Sequence, residues 1–314
     1  MRNFSSSEKM AIISSLAQRP VNGLTYRLLS VICWSRLSCF QFCFRPAGNL
    51  YAEFFNGCQL EADTEQLMKT DVTQPCVYAV DLACAYALKE RGIMADAVAG
   101  YSLGELAALT FAGSLTPEEG VRLVAARGAA MQRASELQET GMMAVLKLDS
   151  KTVSDLASEF DGLYAVNYNC PGQVVVSGLK SRMPQFCEKA AQAGGRCVPL
   201  AVSAAFHSPF MNKAADGFSE ELKKYDIKAP EIPVYSNLTA QPYEESVSDV
   251  LGNQMKSPVR WQETIENMIK DGYTDFIEVG AGKTLSGLIK KISKEVRVSS
   301  VEDKDSLEKT LASF

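Results

Sequence analysis

The sequence predicts an α/β protein in which a compact unit of helices and strands is inserted into a larger body. Two observations predict it. From Tyr51 onward, helical periodicity alternates with short apolar runs of strand length, and between residues 141 and 201 that alternation turns strand-rich before the first pattern resumes. At 314 residues the chain can bury a large core, as one big domain or two modest ones.

Residues 74–91, QPCVYAVDLACAYALKER, place Val77, Val80, Cys84, Ala87 and Leu88 on one helical face, and ADAVAG reads as a buried strand ending at Gly100. GELAALTFAG is a short helix closed by Gly113. Thr116, Pro117 and Glu119 then supply an N-cap, a first helical residue and a capping box, so a long helix begins there. GMMAVLKLD is a strand, SKTVSDLASEF a helix, LYAVNYN and QVVVSG strands, LKSRMPQFCEKAAQAG a helix and RCVPLAV a strand. That β-α-β-β-α-β order is ferredoxin-like. IPVYSNLT, a helix from about Trp261 to Asp271, the strand TDFIEVG and the helix TLSGLIKKI return to the larger body.

The expected organisation is an atypical N-terminal segment over residues 1–50, a large subdomain from 51–138 and 204–314, and a ferredoxin-like small subdomain over 139–203. GAGKT at 280–284 lacks the phosphate-loop glycine, Ile277 standing in its place, and reads as a strand-to-helix turn.

A net charge of −5 removes the basic footprint that a nucleic-acid partner needs. The nine cysteines and single histidine contain no C-x-x-C pair, which excludes a paired-ligand zinc site and a thioredoxin-type centre. Cys33, Cys39, Cys43 and Cys58 lie close together at spacings that match no metal pattern, and no metal is expected. The thiols read as reduced, so the expected compartment is the cytoplasm. Residues 1–50 hold six basic residues and one acid. Arg36 interrupts their apolar run too centrally for a membrane span, and no secretory core is present. An Arg- and Ser-rich start leaves a mitochondrial transit peptide as the alternative localisation.

The chemistry gathers at AGYSLGELA, residues 99–107. A strand, then Gly100-Tyr101-Ser102-Leu103-Gly104, then a helix is the setting of a nucleophile elbow, with Ser102 as nucleophile. The backbone N–H of Leu103 at the helix start is placed where an oxyanion forms. A serine needs a base, and His207 in AAFHSPFM is the chain's only imidazole. Arg127 has Gly120, Leu123, Val124, Ala130, Met131 and Ala134 as helical neighbours. A guanidinium on so apolar a face needs an anionic partner, either a structural carboxylate or that of a substrate, which arginine grips with two parallel hydrogen bonds. Met131, one turn away, is assigned with it to the substrate pocket.

With these residues in view, about 70–300 resembles the malonyl-CoA:acyl carrier protein transacylases of fatty acid synthesis. The resembling stretches are TQPCVYAVDLA, AGYSLGELAAL, AARGAAMQ, AVNYNCPGQVVVSG, AFHSPFM, SPVRW and EVGAGKTLSGL, in that order. The resemblance implies an α/β-hydrolase-like large subdomain with the ferredoxin-like unit inserted. It further implies a malonylated Ser102, His207 as base, Arg127 on the malonyl carboxylate and Phe206 narrowing the pocket. A backbone carbonyl near Arg260 is expected to orient the imidazole. Malonyl-CoA enters as substrate with no bound cofactor, and the phosphopantetheinylated acyl carrier protein is the expected partner of a monomer that uses neither nucleic acid nor membrane. Lys283, Lys290, Lys291 and Lys294, at roughly helical spacing, are candidate docking positions for that acidic carrier.

Two departures stand out. Tyr101 replaces a histidine usual in the family, and residues 1–50 lack the family's opening strand and its Gly-Gln-Gly loop, whose glutamine backbone lies at the oxyanion hole. A reading-frame disruption upstream of about residue 48 would produce this pattern, and the sheet would then lose a central strand and the oxyanion hole a donor. The alternatives are therefore a catalytically impaired relative, or a serine thioesterase or esterase with Asp149 as its acid.

Overall fold

The computed structural model describes residues 9–14, 69–202, 204–244 and 246–314. The large body is built on a five-stranded parallel sheet. Its strands are β1 (Lys9–Ser14), β2 (Ala97–Gly100), β7 (Val234–Tyr235), β8 (Tyr273–Val279) and β9 (Arg297–Val301), in the order β7-β2-β1-β8-β9.

β1 corrects one expectation. The N-terminal segment supplies a central strand after all, with Ala11 opposite Ala97 on one side and Phe276 on the other. Met10-Ala11-Ile12-Ile13 is a run of four apolar residues, as a strand buried between two parallel neighbours requires, and too short to stand out where composition is judged over fifty residues. Cys33, Cys39, Cys43, Cys58 and the region of the Gly-Gln-Gly loop lie outside the described residues.

Helices cover both faces of the sheet. On one lie α1 (Thr70–Glu90), α2 (Gly104–Phe111), α3 (Pro117–Ser135) and α6 (Asn212–Leu222), burying Tyr78, Leu82, Leu88, Leu103, Leu109, Leu123, Val124 and Phe218. α3 starts as the sequence reads, with Thr116 accepting from the Glu119 N–H at 3.2 Å and the Glu119 carboxylate accepting from the Thr116 N–H at 2.8 Å. On the other face, α8 (Trp261–Lys270) and α9 (Thr284–Ile292) bury Trp261, Ile265, Met268, Leu285 and Ile289.

Between α3 and α6 the chain forms a four-stranded antiparallel sheet in the order β4-β5-β3-β6. It runs β3 (Thr140–Leu146), α4 (Ser150–Ser158), β4 (Leu163–Cys170), β5 (Gln173–Leu179), α5 (Met183–Gln192), β6 (Arg196–Pro199). Val153, Ala157, Phe186 and Ala190 of the two helices cover one face. The opposite face, with Met142, Ala144, Val166 and Val175, packs against Phe206 beside the histidine. Reciprocal backbone bonds, Tyr168 N–H to Val259 O at 2.9 Å and Val259 N–H to Val166 O at 2.8 Å, pin β4 to the start of α8. The site lies where these two sheets meet.

Candidate active site

Ser102 sits on the turn from β2 into α2 with φ 53°, the left-handed region that a non-glycine residue enters only where surrounding structure enforces it. The turn is so tight that a Cβ on Gly100 would lie 1.9 Å from the carbonyl carbon of Gly104. Glycine at 100 is therefore a steric requirement of the elbow. Asn237 clamps it from beyond β7, its Oδ1 accepting from the Ser102 N–H at 2.6 Å and its Nδ2 donating to the Gly100 carbonyl at 2.5 Å. Leu103 stands at the N-cap of α2, and among the described residues its N–H donates to no protein acceptor, as expected of a donor at a helix start.

His207, likewise at positive φ (61°), is buried with Nε2 2.8 Å from Ser102 Oγ. Its Nδ1 faces two carbonyls, Gln254 at 3.2 Å and Ser257 at 3.1 Å. Carbonyls only accept, so the proton belongs on Nδ1, leaving Nε2 free to take the serine proton. Burial is the main cause that lowers the imidazole's pKa from 6.5 to about 4; the positive charge of Arg127 adds to this and the two carbonyls oppose it. The ring is thus a neutral base at physiological pH. Ser257 opens the SPVRW stretch near which an orienting carbonyl was expected, but Arg260 itself does not supply it, since Arg260 O accepts from the N–H and hydroxyl of Thr264, each at 2.9 Å, inside the first turn of α8. The Arg260 side chain turns instead to Glu263 and to the carbonyls of Leu238 and Thr239.

Arg127 enters from α3, fully buried. One terminal nitrogen donates to Gln74 Oε1 at 2.8 Å, and the other to Gln254 Oε1 at 2.8 Å and Ser102 Oγ at 3.0 Å. These acceptors are all neutral, and Nε has no partner among the described residues. Desolvation brings the guanidinium down to about 10, partly offset by Glu105, so it stays charged. Met131, on the same face of α3, is buried and its sulfur accepts from Gln74 Nε2 at 3.3 Å. Phe206 is half-buried where the two sheets' cores meet. Tyr101 fills the place of the usual histidine with its hydroxyl on Asn169 Oδ1 at 2.7 Å and its ring edge-on to Trp261.

His207 Nε2 and the buried Arg127 guanidinium thus converge on the Ser102 hydroxyl beside the start of α2, an arrangement suited to acyl transfer from an acid-bearing ester or thioester. Residues 55–308 match the acyl transferase domain family. The chain belongs to it. This acyltransferase is 39% identical over 255 residues to the malonyl CoA-acyl carrier protein transacylase of Bacillus subtilis, an overlap spanning 79% of this chain and 80% of that protein. The Haemophilus influenzae protein of the same name is 36% identical over 251 residues, 77% of this chain and 80% of that one. The crystal structure of the Clostridium perfringens transacylase superposes with a TM-score of 0.87 at 32% identity, covering 98% of this chain and 96% of that chain. A type II polyketide acyl carrier protein in complex with its malonyl-transacylase gives a TM-score of 0.88 at 28% identity, covering 98% and 100%.

Two further features bear on the acyltransferase site. Asp149 is exposed and caps α4, accepting from the Thr152 N–H at 2.9 Å and the Thr152 hydroxyl at 2.6 Å. With two carbonyls already on Nδ1 of His207, the hydrolase reading loses its acid. The four candidate docking lysines are exposed, but Lys283 pairs with Glu302 at 3.2 Å, Lys291 reaches Gln173 Oε1 at 3.2 Å, and Lys294 donates to the Lys290 carbonyl at 2.5 Å. Sequence reasoning missed Gln74, Asn237 and Gln254. A buried Arg127 demands acceptors, so amide side chains were a reasonable search class, yet no local pattern singles these three out.

Proposed function

We propose that this acyltransferase moves a malonyl group from malonyl-CoA to the phosphopantetheine thiol of an acyl carrier protein of fatty acid synthesis, through a malonyl ester on Ser102. The observation that carries the reading is the single Ser102 Oγ bonded to both His207 Nε2 and Arg127. The base activates the hydroxyl, while the guanidinium beside it selects an acyl group that ends in a carboxylate.

In this mechanism Ser102 Oγ attacks the thioester carbon as its proton passes to His207 Nε2. The negative charge arising on the thioester oxygen meets the Leu103 N–H at the start of α2. The C–S bond then breaks, and His207 returns the proton to the departing coenzyme A sulfur. In the second half-reaction His207 takes the proton of the carrier thiol, whose sulfur attacks the malonyl ester; the C–O bond to Ser102 breaks and His207 returns the proton to Oγ, restoring the serine. A thiol is a good leaving group, so two backbone carbonyls suffice to hold the imidazole and no carboxylate is required. The B. subtilis and H. influenzae relatives and the solved carrier complex support the substrate and the partner. Among the described residues no helix is long and apolar enough to cross a membrane.

Intact-protein mass spectrometry after brief exposure to malonyl-CoA, with acetyl-CoA and a Ser102→Ala variant as controls, tests the reading. A malonyl adduct confined to malonyl-CoA and to the unsubstituted protein is the expected result. A folded protein that takes up no malonyl group would overturn it.

A further inference from the structure

The site holds one buried acid that the proposed mechanism leaves idle. Glu105, in the first turn of α2, is completely buried. Everything around its carboxylate donates: the Tyr243 hydroxyl and the Asn237 N–H to Oε1, the same N–H at 3.3 Å and Gln254 Nε2 at 2.6 Å to Oε2, with the Ser236 hydroxyl also bonded. An ionised carboxylate meets all of these donors without conflict, and the helix N-terminus beneath it favours the same charge. Burial raises its pKa above the ordinary carboxylate value, and the hydrogen bonds oppose this only in part.

Arg127 is a buried cation whose contacts among the described residues are all neutral, a state that needs an anion close by. One amide separates it from Glu105. Gln254 Nε2 donates to Glu105 Oε2 and to the Ser102 carbonyl at 2.7 Å, while its Oε1 accepts from Arg127. Neither the carboxylate nor the carbonyl can donate, so the amide cannot flip, and its oxygen stays on the guanidinium.

Building on the functional reading above, we infer that Glu105 is a positioning residue: the buried counter-ion of Arg127, coupled through the side-chain amide of Gln254. It keeps the site neutral before substrate arrives and leaves the guanidinium free of direct carboxylate contact. It also moderates the pull of Arg127 on a bound acyl carboxylate, so that the malonyl group is recognised and still released to the carrier.

Glu105→Gln tests this, because it removes the charge while keeping shape, and the Tyr243 hydroxyl can rotate to accept from the new amide. Sodium malonate binding to the full chain is measured by calorimetry, with KM and kcat for malonyl-CoA alongside. A counter-ion role predicts that Glu105→Gln binds malonate roughly tenfold tighter, with KM lowered and kcat reduced. Tyr243→Phe, which removes one donor and weakens the anion, shifts in the same direction by less and stands in should Glu105→Gln not fold. A purely structural role gives unchanged or weaker malonate binding in both variants, which overturns the inference even if the wild-type protein forms its malonyl adduct. Absence of both the adduct and malonate binding in the wild-type protein overturns the functional reading and this inference together.

Discussion

The Arg127 guanidinium donates to Ser102 Oγ at 3.0 Å, on the same oxygen that His207 Nε2 meets at 2.8 Å. In the proposed mechanism, recognition of the acyl carboxylate and activation of the nucleophile are therefore built on one atom. The side chains arrive from α3, from the β2–α2 turn and from the loop after β6, so the site exists only once these segments have packed together.

Replacing Arg127 by alanine removes the cation and leaves the serine–histidine pair. Malonyl-CoA should acylate Ser102 roughly 10²–10³ times more slowly, the worth of two charge-assisted hydrogen bonds. Acetyl-CoA should react at least as well as with the unsubstituted protein. Competition between the two thioesters, read by adduct mass, checks both expectations.

The pH dependence follows from the imidazole. His207 must be neutral to act, and its folded pKa lies at about 4, below the ordinary 6.5. Acylation should hold steady through neutral pH and fall about tenfold per pH unit only below about 4. Folded and unfolded values differ in the sense that the unfolded chain takes up the proton first, so acidification from 6.5 towards 4 also weakens the fold. Rates from rapid-quench acylation, paired with circular dichroism at each pH, separate the two effects.

Gly100→Ala should be among the most damaging single-methyl changes in the chain. The added carbon would sit 1.9 Å from the backbone of Gly104, and neither segment can yield while Asn237 holds the turn. A loss of about 3 kcal/mol or more is expected, visible as a lowered Tm or as insoluble protein. A variant with unchanged Tm would mean that the elbow is looser than the geometry implies.

Ala11→Asp tests the N-terminal strand. Ala11 is fully buried between β2 and β8, so an unpaired carboxylate there should prevent cooperative folding. A variant that keeps wild-type Tm and acylation would show that the sheet does not depend on residues 9–14.

Asp149→Asn should slightly lower the Tm through the weakened cap of α4 and leave acyl transfer unchanged. Abolished activity would revive the hydrolase reading.

Much of this protein was legible from local pattern. The capping box at Thr116, the elbow around Ser102 and the strand–helix order of residues 140–199 depend on neighbours in the chain, and they appear where their periodicity and caps put them. Ser102, His207 and Arg127 stood out as candidates from their setting, a serine between two glycines, the single imidazole and a cation on an apolar face, and the fold brings the three together. Two readings fell short through distance. β1 looked foreign by composition, because a four-residue apolar run becomes a central strand only when β2 and β8 flank it. The carbonyl on His207 was sought around Arg260 and lies three residues earlier, at Ser257, with a second from Gln254 at the end of α7 (Val247–Gln254) that no local pattern pointed to.

By itself the sequence determined most of the elements and singled out Ser102, His207 and Arg127 as candidates, because those follow from short-range periodicity and side-chain chemistry. Tertiary structure alone decided how they are held. Gln74, Asn237, Gln254 and Glu105 act across 53 to 152 residues of chain, and a hydrogen bond between groups so far apart leaves no mark on the residues adjacent to either.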